Sequence, residues 1–141
     1  MFDTLAAQLG AVFVVIVCAF AFLKGDETER YGGGAYVLGW FASLLVQSSD
    51  IYDTSPALFA VDAAMLGVLV ALTWKSRRAW PTWASALQLL IVMSHIVIFV
   101  DVRPPANSFV TVINLAGYGV LLSLAIGTFW AWQDRRAAGL E

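Results

Sequence analysis

Five long runs of apolar residues, divided by four short polar joints, decide what this chain can become. The runs cover residues 5–23, 32–48, 57–74, 83–100 and 108–132. A helix needs about 20 mostly apolar residues to cross a hydrocarbon core roughly 30 Å thick, and each run comes close to that length. The joints read KGDETERY, SDIYDTSP, KSRRAWP and DVRPPAN. Pro56, Pro81, Pro104 and Pro105 all fall in or beside them, where proline does least harm to a helix. The runs are continuously apolar rather than alternating, which argues against a β-barrel. The sequence therefore predicts an all-α, polytopic transmembrane bundle of five spanning helices, forming one domain over residues 1–141.

Composition supports the same solvent. Hydrophobic residues make up 60% of the chain and charged ones 13%, against about 25% charged in a soluble domain. A water-soluble domain of this size still exposes roughly 30% of its chain's surface, too much for this surplus of apolar side chains. The formal net charge of −2 and the absence of a basic run give no sign of nucleic acid. The first run lacks a preceding Lys or Arg, so it is expected to remain as a span rather than be removed as a leader.

Cationic residues orient the bundle. With five spans, the first joint, third joint and C-terminal tail share one side and carry Lys24, Arg30, Lys75, Arg77, Arg78, Arg135 and Arg136. The opposite side carries only Arg103. The cation-rich side is expected to be cytoplasmic, with the N-terminus outside and the C-terminus inside a cell (inner) membrane. Trp74, Trp80, Trp83, Trp130 and Trp132 fall at the same boundary and read as an interfacial aromatic belt.

Polar side chains inside the spans carry the functional information, because each is costly in lipid and asks for a partner. Asp62 lies six residues after Pro56, His95 six before Asp101 and Asn114 six after Ser108, each about 9 Å deep at 1.5 Å per residue. With Gln88 they form an expected buried polar cluster. Helical spacing extends it into stripes: Ser85, Gln88 and His95; Thr111, Asn114 and Tyr118; Tyr36, Trp40, Ser43 and Gln47. Gln47, Asp50, Asp53 and Asp101 would sit above the cluster as an acidic outer mouth. Two small-residue stripes, Gly119, Ser123 and Gly127 on the fifth run and Ala63, Gly67 and Ala71 on the third, are expected to pack helices closely. The first run beyond Gln8 has no polar stripe, so it is expected at the periphery or against another subunit.

Enzymatic chemistry finds little support. The one histidine and one cysteine cannot build a closed zinc site. Ser94 points about 100° away from His95 round the helix, so no Ser-His-Asp nucleophile is expected. Gly32–Gly34 is not followed by the Lys of a phosphate loop. No catalytic residue, metal or cofactor is expected, with His95 as a haem or pigment ligand a remote alternative. Two readings follow. In the first, the chain is a non-enzymatic subunit, a homo-oligomer or an accessory piece among other membrane subunits. In the second, it is a small channel, transporter or permeabilising effector with a proton or ion path through Asp62 and His95.

Overall fold

The computed structural model describes residues 5–48, 54–100 and 106–141, all of them helix or short connection. Five helices follow in order: α1 (Leu5–Lys24), α2 (Glu27–Ser48), α3 (Thr54–Lys75), α4 (Trp80–Val100) and α5 (Ala106–Ala137). Four are long and apolar enough to cross a membrane, over Leu5–Lys24, Pro56–Lys75, Trp80–Val100 and Ser108–Ala137. The chain is a multi-pass membrane protein on that evidence. The other helix, α2, has the length, with 22 residues. Its glycines and its charged first turn, which holds Glu27, Glu29 and Arg30, keep its hydropathy below theirs.

The helix boundaries depart from the apolar runs for capping reasons. α2 starts five residues before the run at 32, because Asp26 and Glu29 form a capping box: the Glu29 carboxylate accepts from the Asp26 backbone N–H at 2.9 Å. In α4, Pro81 sits in the first turn, where its missing N–H costs nothing. α5 continues past the run to Arg135 and Arg136, and Gly139 closes it at φ 70°. There Leu140 N–H bonds to the Arg135 carbonyl and Gly139 N–H to that of Arg136, a Schellman ending that needs a left-handed residue.

The helices form a closed ring. α1 packs against α2 and α5, α3 lies between α2 and α4, α4 packs on α5, and α2 also reaches α5. Pairs such as Thr73 with Ser85 and Phe59 with Phe99 show that α3 and α4 run in opposite directions. Gly119 against Leu87 and Gly127 against Trp80 show the same for α4 and α5. One end of the ring therefore gathers Lys24, Arg78 and Arg135, which meet there in ion pairs. The half next to that end is tightly packed, around Cys18, Ala21, Leu69, Trp80, Ala84, Leu121 and Leu124.

The small-residue stripe of α5 packs closely inside the bundle, and that of α3 does so less. A methyl group on Gly127 would overlap the Trp80 ring, and one on Gly119 would crowd Leu87. One on Gly67 would meet nothing within 4 Å, and Ala71 is exposed. Within the bundle, Gly67 and Ala71 therefore make no close helix contact, and Ala71 borders a groove between α2 and α3.

α1 also departs from expectation. Val14, Val17, Cys18 and Ala21 are buried in the core, whereas Val15 is 60% exposed. Only one face of α1 is peripheral, since a ring of five gives every helix an inner face. In lipid the inner face is held by packing rather than by the hydrophobic effect. Val14→Ala should therefore cost about 1 kcal/mol through the void it leaves. Val15→Ala should stay within about 0.5 kcal/mol. Denaturation of the two variants in detergent micelles checks the difference.

Candidate functional site

A cavity of about 390 Å³ lies among all five helices, in the half of the bundle away from the cationic end. Asp62 enters its wall from α3, Gln88 and His95 from α4, Asn114 and Tyr118 from α5, and Tyr36, Trp40 and Ser43 from α2. α1 contributes only small or apolar surface, with Ala7, Gly10, Ala11 and Val14. Parts of the polar stripes of three helices thus converge on one space, where polar side chains can meet one another instead of lipid.

At the centre is Asp62. The Gln88 amide donates to its carboxylate at 3.0 Å and to its backbone carbonyl at 3.2 Å. His95 Nε2 stands 3.7 Å from the other carboxylate oxygen. The opposite nitrogen, Nδ1, lies 3.0 Å from the Ile91 carbonyl. A carbonyl only accepts, so Nδ1 carries the proton and the neutral ring has a bare Nε2 facing Asp62. Two lone pairs do not face each other favourably across this gap. A single proton, on the carboxyl or on the imidazole, would remove that opposition and leave the pair neutral overall.

The pair is enclosed without being sealed. The side chain of His95 keeps 9% of its surface exposed and that of Asp62 keeps 25%, so the carboxylate opens onto the cavity it lines. Phe59 packs against the His95 ring at a centroid distance of 6.3 Å and limits its movement. The Tyr36 hydroxyl donates to the Gly117 carbonyl at 3.2 Å and ties α2 to α5 beside the cavity. Both ring nitrogens of His95 face protein oxygens, so a haem or pigment would first have to displace the contact with Asp62.

Not every expected cluster member joins the pair. Asn114 lines the cavity but is exposed, and no hydrogen bond links it to Asp62, Gln88 or His95. It stands in the wall of the cavity rather than in a buried network, a correction that follows from its place on the exposed side of α5. Ser85 bonds to Thr73 at 3.3 Å and staples α3 to α4. Of the expected outer mouth, Asp50, Asp53 and Asp101 lie outside the described residues, as does the side chain of Gln47.

No protein-family model matches the chain, and neither the curated proteins nor the solved structures compared with it give a match.

The opposite end holds a second polar constellation that hydropathy alone does not suggest. Glu29 is fully buried. It accepts from the Trp80 indole N–H at 2.8 Å, and Arg78 Nε lies 3.5 Å from the same oxygen. Asp26 binds the guanidinium groups of both Arg78 and Arg135, and Arg135 also donates to the Lys24 carbonyl at the end of α1. Ends of α1, α2 and α5 and the α3–α4 joint are tied together here. Trp80, expected in the interfacial belt, is buried instead, because Gly32 and Gly127 leave space for its ring. Trp74, Trp83 and Trp130 remain exposed, as residues of such a belt would be.

Proposed function

We propose that this chain is a non-enzymatic, five-span membrane protein that takes up and releases a proton at the Asp62–His95 pair, as part of a small channel or proton-coupled transporter. The observation that carries the reading is the cavity: it is lined from all five helices and holds a carboxyl and an imidazole side by side. A buried structural hydrogen bond has no need of 25% exposure at its carboxylate. Intramembrane ionisable groups beside water-filled space are the usual marks of proton and ion pathways.

α2 is the fifth span in this reading. At 22 residues it is about 33 Å long, enough for a hydrocarbon core of roughly 30 Å. The cation-rich end faces the cytoplasm of an inner membrane, and the cavity faces the outside. A reporter fused after Glu141 should then be active only if it works inside the cell, and activity outside would overturn this orientation.

The packed half beyond Leu121 and Leu69 stops the cavity short of the cationic end. Passage through one chain therefore requires that half to open, with the Glu29–Trp80 bond as its fastening. The same closure favours a second reading, a non-enzymatic subunit that works as an oligomer or accessory component with other membrane subunits. Purified protein in liposomes separates the two. Faster decay of an imposed pH gradient than in protein-free liposomes supports the path, and an unchanged rate favours the subunit.

A further inference from the structure

A second concavity lies on the outside of the bundle, between α2 and α3 near the cationic end. Its volume is about 670 Å³. Gly34, Ala35 and Ala71 line it beside the larger Phe22, Leu38, Val68 and Leu72, and Arg30, Tyr31 and Lys75 stand at its cationic end. It shares no lining residue with the cavity that holds Asp62.

We propose that this groove is a binding site for one anionic phospholipid, with an acyl chain along its apolar floor and the phosphate between Arg30 and Lys75. The charges at this end make the case. Asp26, Glu29 and Glu141 are engaged by Lys24, Arg78 and Arg135. Arg30 and Lys75 are exposed, and among the described residues neither has an acidic partner. Lys75 Nζ rests 6.0 Å from the centroid of the Tyr31 ring, which holds one cation near the headgroup level. Basic residues bordering a groove between membrane helices match an anionic headgroup, and the apolar floor matches its chain. A second protein helix would fill the floor but leave both cations without a counter-charge. Ala71, exposed on α3, thereby acquires a role, since it leaves the width an acyl chain needs.

The proposal rests on α2 and α3 both standing in the bilayer. Native mass spectrometry of the full-length protein from detergent, titrated with phosphatidylglycerol or phosphatidylcholine, tests it. Phosphatidylglycerol should be retained in preference, and Arg30→Gln with Lys75→Gln should weaken its binding about tenfold. Arg77→Gln, on the same end but outside the groove, should change it little. Gly34→Leu, which fills the floor and keeps both charges, should also reduce retention. Equal retention of the two lipids, an equal effect of Arg77→Gln, or a lipid-free dimer closed over the groove would each overturn the site. A chain that resists carbonate extraction from membranes yet shows no lipid preference refutes the site alone. A chain that carbonate removes refutes the spanning reading and the site together.

Discussion

Glu29→Ala is expected to destabilise the bundle more than any other single carboxylate change at the cationic end. The substitution removes the acceptor for the Trp80 indole, the cap on the Asp26 backbone N–H and one partner of Arg78. A buried N–H left without a partner costs about 1–3 kcal/mol. Breaking a buried ion pair costs about 3–5 kcal/mol when the orphaned charge stays buried. Arg78 keeps 31% of its side-chain surface exposed and still holds Asp26, so the second penalty is discounted. The expected loss is therefore about 2–4 kcal/mol. Glu29→Gln retains an acceptor for Trp80 and should lose less. Glu27→Ala, two residues away and exposed, should lose under about 0.5 kcal/mol. Denaturation in mixed micelles measures all three, and equal losses for Glu29→Ala and Glu27→Ala would refute the fastening.

Asp62→Asn should leave the fold intact and abolish proton exchange. Asparagine has the same shape, and its two ends suit the site. The carbonyl oxygen accepts from Gln88, and the amide donates to the bare Nε2 of His95. Interhelical hydrogen bonds in membranes average about 0.6 kcal/mol, so even a poor fit costs little. What the amide lacks is a proton to give up and take back near neutral pH. Flux through liposomes should fall about a hundredfold or more, the lower range for losing a positioned acid–base group, while the denaturation midpoint stays near that of the wild type. Unchanged flux in a folded variant would remove Asp62 from the path.

Much of this arrangement is legible in the sequence because lipid penalises polar groups so heavily. Asp62, Gln88 and His95 stand out against apolar runs, and helical spacing puts Gln88 and His95 on one side of α4. Antiparallel connection through a short joint then brings that side to α3 and Asp62. Glu29 stays hidden for the opposite reason. At the edge of a run a carboxylate reads as solvated, and nothing local says that Trp80, 51 residues away, will close over it. The capping pattern Asp26-x-x-Glu29 was the available signal, and it also marks the true start of α2. Trp80 was misplaced in the interfacial belt because the space made for it by Gly32 and Gly127 comes from two distant helices. The small residues of α3 match the packing pattern of α5, yet spacing cannot tell a face that meets a helix from one that meets a groove.

The most direct test is nitrogen NMR of the one histidine in the chain, with ¹⁵N-labelled imidazole. Nδ1 should carry a proton, held by the Ile91 carbonyl. The Nε2 signal should exchange with water and shift when Asp62 is replaced by Asn. A neutral ring protonated on Nε2 with a bare Nδ1, or an Nε2 signal indifferent to Asp62→Asn, would contradict a proton shared between these two side chains.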